Sequence, residues 1–157
     1  MCVFSFMKNI GENLFLKEDE AVWKARGIYD EERAKGIRKY LNELEIIIID
    51  SDLKIQGEKA CLSGTAKDQE TFEKAIIAVG NIQGISTVES KMKVQNPAQL
   101  SRFYTVKPGD TLDKLALEYF DDSNQYKIIL EANQPMIKKA SHIYSGLVIR
   151  IPRERIA

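Results

Sequence analysis

The first apolar pattern of the chain lies in residues 3–10, where apolar side chains recur in the three- and four-residue steps of a helix. Gly11 follows directly, in the position at which a left-handed residue often ends a helix. Residues 12–27 are charged with scattered apolar positions, a composition typical of a tether or an irregular helix. We therefore expect a short N-terminal helix and a tether over residues 1–27.

Residues 28–95 show the pattern of a small α/β domain. Apolar residues recur every three or four positions over residues 30–45, which predicts an amphipathic helix. The β-branched run at 46–49 is predicted as a strand. Residues 53–62 alternate about Gly57, as the two strands of a hairpin with a turn there would.

A second helix and a last strand complete this domain. Thr65, followed three residues later by Asp68, is an N-cap arrangement, so we expect the helix to begin there and to stop at Gly80. Residues 88–94 alternate with period two, which predicts a strand. The order helix, strands, helix, strand predicts an α/β sandwich in which one apolar face of a sheet lies under two helices. The inward face of the second helix is formed by Phe72, Ala75, Ile76 and Val79.

Residues 96–103 form the natural linker, because Pro97 cannot continue a β-ladder and its neighbours are small or polar. A strand at 104–106, a turn whose Asp110 can cap the next helix, two helices and a closing strand are predicted to follow. This βααβ domain, residues 104–153, has a marginal core, and a partner domain is expected to help hold it. We therefore predict an α+β fold class with two small domains and a short N-terminal helix.

The net charge is zero, because 23 Lys and Arg residues balance 23 Asp and Glu residues. Such a chain has no overall field to hold phosphates, so neither nucleic acid nor an anionic membrane is expected as a partner. No apolar run approaches the roughly 20 residues of a membrane helix, and the N-terminus lacks the basic residues and the cleavage site of an export signal. We expect a cytoplasmic monomer.

Residues of the types that serve in catalysis or metal binding are few and are dispersed along the sequence. Cys2 and Cys61 lack the Cys-x-x-Cys or Cys/His spacing that tetrahedral metal ligation requires. His142 is the only histidine, and no nucleophile lies beside it in the sequence. Adjacent carboxylates, such as Glu31 and Glu32, point in different directions along a helix. The sequence therefore predicts a protein that is not an enzyme.

The second half of the chain resembles a LysM domain. It carries Tyr-Thr-Val-Lys-Pro-Gly-Asp-Thr-Leu at 104–112, an internal asparagine at 133 and Ile-Arg-Ile-Pro at 149–152, in the order of that family. LysM domains generally bind glycans containing N-acetylglucosamine in a shallow groove. The positions that match the groove are Gly109, Asp110, Thr111, Ile143, Tyr144 and Ser145.

These groove positions also have a purely structural interpretation, because Asp110 and Thr111 can serve as helix-capping residues. The family often has Pro-Gly-Gln where this chain has Ser-Gly-Leu at 145–147, which removes a polar group near the groove. A cytoplasmic protein would moreover rarely meet polymeric peptidoglycan. A glycan-binding adaptor is therefore the second hypothesis.

Residues 28–95 resemble a BON domain. The resemblance rests on Leu-Ser-Gly-Thr at 62–65, before the second helix, and on Gly-Ile-Ser-Thr-Val at 84–88, after it. An N-terminal helix, one BON domain, one LysM domain and no signal peptide together resemble the bacterial cytoplasmic potassium-binding proteins of BON–LysM type. The resemblance implies K⁺ as the ligand.

A potassium site can be built without acidic side chains. K⁺ is large and weakly hydrated, and several neutral carbonyl oxygens favour it over Na⁺. The last carbonyls of a helix lack an intrahelical partner, and glycines mark two predicted helix ends, at 7–11 and 78–85. The alternative for these glycines is plain C-capping, and the family resemblance favours the ion. The predicted ligands are the backbone carbonyls of Met7, Ile10, Gly80, Ile82 and Ile85.

An ion that joins the N-terminal helix to the BON domain stabilises the closed form by mass action. We therefore expect the chain to become more compact when it binds K⁺. The LysM domain could then dock on the BON domain or present a surface to another protein. This is the behaviour of a K⁺ sensor or buffer.

Overall fold

The computed structural model describes residues 2–153 of the chain. The chain divides between Pro97 and Ala98 into two compact units, called here the first unit and the second unit. Both units contain helices and strands, so the predicted α+β fold class is confirmed.

The first unit is a four-stranded sheet with helices on one face. Its elements in chain order are β1 (Cys2–Ser5), α1 (Lys17–Arg26), α2 (Tyr29–Glu43), β2 (Ile49–Gln56), β3 (Lys59–Asp68), α3 (Gln69–Gly80) and β4 (Thr87–Asn96). The strands lie in the order β1-β4-β3-β2. Strands β3 and β4 are parallel, while β1–β4 and β2–β3 are antiparallel, so α3 is the crossover of a β-α-β unit.

The core of the first unit lies between the sheet and helices α2 and α3. Ile37 of α2 and Ile76 of α3 are completely buried, as their helical spacing predicts. Along β2, Leu53 and Ile55 are buried and the residues between and beside them are exposed. The turn at Gly57 was also predicted correctly, and its left-handed backbone (φ 61°) is one that glycine adopts at little cost.

The predicted N-terminal helix over residues 3–10 is wrong. Cys2–Ser5 instead form β1, which pairs with the edge of β4 so that Val3 lies opposite Glu89. The Phe6 N–H extends this pairing by donating to the Ser86 carbonyl at 2.9 Å. A helix of eight residues is marginal by itself, and the open edge of β4 offers a partner that local sequence does not reveal.

Two further local predictions need correction. The run at 46–49 is not a strand, since only Ile49 belongs to β2 and the Ile46 N–H donates to the Leu41 carbonyl at the end of α2. Thr65 is not a helix cap, because β3 continues through Asp68. The Asp68 carboxylate is the cap and accepts the Thr71 N–H at 2.8 Å.

The segment predicted as a tether or an irregular helix contains a regular one. Helix α1 occupies Lys17–Arg26 and ends at Gly27, whose φ of 71° is the left-handed conformation of a C-cap. No residue of α1 is buried. Its Trp23 ring meets the Phe15 ring edge to face, with 5.8 Å between the centroids. The predicted 1–27 segment also includes Met1, which lies outside the described residues.

The second unit has the predicted βααβ order. Its elements are β5 (Arg102–Thr105), α4 (Leu112–Phe120), α5 (Tyr126–Ala132) and β6 (Val148–Ile151), with short 3₁₀ turns at Ser123–Gln125 and Ala140–His142. Strands β5 and β6 are antiparallel, with Tyr104 opposite Ile149. The helices cover this ribbon, and the core between them includes Leu112, Leu115, Ile129, Ile149 and Ile151.

Asn133 ties the end of α5 to β6 inside the second unit. Its side-chain amide donates to the carbonyls of Ile129 and Arg150, and its Oδ1 accepts the Arg150 N–H at 2.7 Å. The residue is buried, so these three bonds satisfy backbone groups that water does not reach.

Candidate metal centre

Two segments of the first unit that are far apart in sequence lie side by side. We call residues 6–12 the N-terminal loop and residues 80–86 the post-helix loop. The Glu12 N–H donates to the Asn81 carbonyl at 2.8 Å, and the Gln83 N–H donates to the Glu12 carbonyl at 2.9 Å. The Gly84 N–H donates to the Lys8 carbonyl. The two predicted sets of carbonyl ligands are therefore on neighbouring loops.

Glycine is required where these loops approach each other. Gly11 has a φ of 112°, and a Cβ there would lie 1.7 Å from the Asn81 carbonyl oxygen. A Cβ on Gly80 would lie 2.1 Å from the Phe6 ring. Gly80 is the last residue of α3, and the C-cap residue is Asn81. These glycines thus permit close packing, whereas the sequence indicated only helix ends.

The five predicted ligands differ in the hydrogen bonds that their carbonyls accept. The Met7 carbonyl accepts the Ile10 N–H, and the Ile82 carbonyl accepts the Ile85 N–H, each at 3.1 Å. The carbonyls of Ile10, Gly80 and Ile85 accept no hydrogen bond from residues 2–153. Gly80 and Ile85 are buried residues. A carbonyl in such a place needs a partner, and a cation can supply one.

Glu58, in the turn between β2 and β3, joins both loops. Its carboxylate lies 2.7 Å from the Lys8 ammonium of the N-terminal loop and accepts the Ser86 hydroxyl at 3.2 Å. Its backbone carbonyl accepts the Ser86 N–H at 2.8 Å. The hydrogen bonds from Lys8 and then Ser86 hold the pKa of the Glu58 carboxyl below its ordinary value.

Sequence reasoning missed Glu58. Fifty residues separate it from Lys8, and no periodicity connects a hairpin turn to the loop after β1. Within residues 2–153, no group of three or more His, Cys, Asp and Glu side chains is placed to hold a metal ion. Over the same residues, no helix has both the length and the apolar character to cross a membrane.

The predicted glycan positions of the second unit lie on two segments joined through Val106. The Val106 carbonyl accepts the Gly146 N–H and its N–H donates to the Leu147 carbonyl, both at 2.8 Å. This links the turn that contains Gly109 to the segment that follows Ile143. Tyr144 is 42% exposed.

Asp110 and Thr111 are both used within the second unit. The Asp110 carboxylate accepts the Tyr104 hydroxyl and the Lys107 N–H, so it closes a turn, and the predicted capping of α4 by Asp110 is wrong. Thr111 is the cap, and its hydroxyl oxygen accepts the Lys114 N–H at 3.3 Å. The bond to Tyr104 lowers the pKa of Asp110, and burial together with Asp110 raises the pKa of Tyr104.

Comparison with known proteins gives a consistent result. The LysM domain family model matches residues 104–152, which confirms the predicted resemblance there. The chain is 40% identical to the potassium binding protein Kbp of Escherichia coli O6:H1 (strain CFT073), over 98% of this chain and 100% of that protein. It is also 31% identical to an uncharacterized protein of Deinococcus radiodurans, over 64% of this chain and 44% of that protein.

Replacing Gly11 with alanine should separate the two loops. Gly11→Ala introduces a Cβ that cannot coexist with the Asn81 carbonyl, and we expect a loss of about 2–4 kcal/mol in unfolding free energy, measured with urea. Gly27→Ala is the matched control, since it also has positive φ but no atom within 4 Å of the new Cβ. It should cost about 1 kcal/mol. Equal losses would show that strain in the backbone, not the approach of the loops, sets the requirement at Gly11.

The Glu58 interactions should make stability depend on pH. Because the folded pKa is below the ordinary value of 4.5, the stabilisation is fully present above that value and disappears as the pH falls through the folded pKa. Glu58→Gln should therefore be less stable than the wild type at neutral pH, and the difference should narrow in acid. Urea unfolding of both proteins, and of Lys8→Met, between about pH 3 and 7 measures this. A difference that stays constant with pH would contradict it.

Proposed function

The chain belongs to the family of the potassium binding protein Kbp, and from this premise we propose that it is a cytoplasmic K⁺-binding protein that acts as a sensor or buffer of the free ion. The observation that carries the proposal is the pairing of the N-terminal loop with the post-helix loop. This pairing gives two short segments of backbone, from opposite ends of the first unit, that one ion can join.

The proposed ligands are backbone carbonyls of the two loops. Neutral carbonyl oxygens suit K⁺, because their field is weaker than that of carboxylates and several of them can replace its water. Three carbonyls without a hydrogen-bond donor in residues 2–153 support this choice. The proposed set is Met7, Ile10, Gly80, Ile82 and Ile85.

Ion binding is proposed to act on a conformational equilibrium. An ion held by both loops stabilises the form in which the N-terminal loop is packed, and it does so in proportion to the free K⁺ concentration. The consequence we propose is a more compact chain, in which the second unit docks on the first unit or becomes available to another protein. A role in binding, rather than in catalysis, agrees with the relative's name.

Glycan binding by the second unit is the second candidate, and the LysM family match is the observation that favours it. Gly109, Ile143 and the exposed Tyr144 are the proposed contacts, with Asp110 and Thr111 beside them. We rank it second because the polar groups of Asp110 and Thr111 already have partners inside the unit.

Titration calorimetry tests the potassium proposal directly. In a buffer that contains neither K⁺ nor Na⁺, KCl should give saturable heat and raise the melting temperature, and NaCl at equal ionic strength should do neither. Gly11→Ala should weaken K⁺ binding at least tenfold, because it separates the two loops. Gly27→Ala should leave the affinity unchanged. Identical heats and melting temperatures with the two salts would refute the proposal.

Small-angle scattering tests the proposed compaction. We expect the radius of gyration of the full chain to decrease when saturating K⁺ replaces Na⁺ at constant ionic strength, since the bound ion favours the closed form. The Gly11→Ala variant should show no decrease at the same K⁺ concentration. Superimposable curves for the wild type in the two salts, under conditions where calorimetry shows binding, would mean that the ion binds without changing the shape of the chain.

A further inference from the structure

Arg33 of α2 is a buried charge in the first unit. The residue is 3% exposed. A guanidinium carries a positive charge, so a charged group lies inside this unit. Removing such a charge from water costs free energy. A charge that water screens poorly also acts strongly on an ion bound nearby.

Three groups hold the Arg33 side chain in place. Its Nη2 donates to the Asp30 carboxylate at 2.7 Å and to the Gly57 carbonyl in the β2–β3 turn. Its guanidinium carbon lies 4.3 Å from the centre of the Tyr29 ring. The Nε–H is buried and has no acceptor among residues 2–153. The side chain is thus held in place, but one of its N–H donors lacks a hydrogen bond within the described residues.

The other side of the guanidinium faces the post-helix loop. A Cβ built on Gly84 would lie 3.7 Å from Nη1 of Arg33. Gly84 lies inside the turn that the Ile85 N–H closes on the Ile82 carbonyl, and these two residues are among the proposed K⁺ ligands. The fixed positive charge therefore lies directly against the part of the backbone that would coordinate the ion.

The neighbouring Asp30 carboxylate offsets only part of this charge. The Asp30 side chain is 45% exposed, whereas that of Arg33 is 4% exposed, so water screens the carboxylate far more than the guanidinium. Lys8 and Glu58, which also border the loops, form a half-exposed pair whose charges offset each other. Arg33 is therefore the least exposed of the charged side chains in these two ion pairs.

We propose that Arg33 is a specificity-determining residue that makes this site reject divalent cations. A positive charge raises the free energy of a bound divalent ion twice as much as that of a monovalent ion at the same place. Neutral carbonyls discriminate by size, and the buried guanidinium adds discrimination by charge. This inference rests on the proposed K⁺ site in the two loops.

The test compares K⁺ with Ba²⁺, a divalent ion of nearly the same size. Calorimetry with KCl and BaCl₂ gives the ratio of the two affinities for the wild type and for Arg33→Gln. We expect Arg33→Gln to shift this ratio towards Ba²⁺ by about fivefold, because one positive charge nearby raises the free energy of a bound divalent ion more than that of a monovalent ion. A general loosening of the loops would weaken both ions and leave the ratio unchanged.

Two variants separate local charge from altered folding. Arg38→Gln removes a charge from the same helix, where Arg38 donates to the Leu53 carbonyl on β2 at 3.2 Å, and the ratio should stay at the wild-type value. Asp30→Asn leaves Arg33 unopposed, and the ratio should move the other way, against Ba²⁺. The Asp30 variant keeps the test informative if Arg33→Gln does not fold.

The results distinguish this inference from the proposed function. If the wild type bound no K⁺, the proposed K⁺ site itself would be refuted. If the wild type binds K⁺ but the ratio is the same in the Arg33, Asp30 and Arg38 variants, the site stands and Arg33 has no role in its specificity. Opposite shifts for Arg33→Gln and Asp30→Asn, with no shift for Arg38→Gln, would establish the role.

Discussion

The contact between the Gly11 backbone and the Asn81 carbonyl is the constraint on which the rest of the first unit's proposed site depends. It brings residues near the amino terminus against the end of α3, so that Glu12 can bond to both Asn81 and Gln83. Any side chain at position 11 would occupy the space of the Asn81 carbonyl. Without this approach, the two sets of proposed ligands would belong to separate surfaces.

The turn between β2 and β3 also holds the two loops in place. Glu58 bonds to the N-terminal loop through Lys8 and to the post-helix loop through Ser86. Gly57, the residue before it, accepts a hydrogen bond from Arg33. One short turn therefore connects both loops and a buried charge. Every residue type has a backbone carbonyl, so the sequence does not mark the ligands of such a site. The side chains that hold its backbone in place are easier to identify.

Local sequence patterns correctly predicted the turns and the helices whose apolar and polar faces are clearly separated. The amphipathic helices α2 and α3, the Gly57 turn and the βααβ order of the second unit all follow from periodicity and turn residues. Predictions failed where a distant partner decides the outcome. Residues 3–10 have helical spacing, but residues 2–5 pair with the available edge of β4. Asp68 becomes a cap only because β3 continues to it.

The sequence by itself determined the α+β fold class, the resemblance of residues 104–152 to LysM domains and the presence of glycines at 11 and 80. Only the tertiary structure decided that Gly11 approaches Asn81, that Glu58 joins Lys8 to Ser86 and that Arg33 lies against Gly84. The physical reason is that periodicity and turn chemistry act over a few residues. These contacts instead join positions 28 to 70 residues apart, and their geometry exists only once the sheet has been assembled.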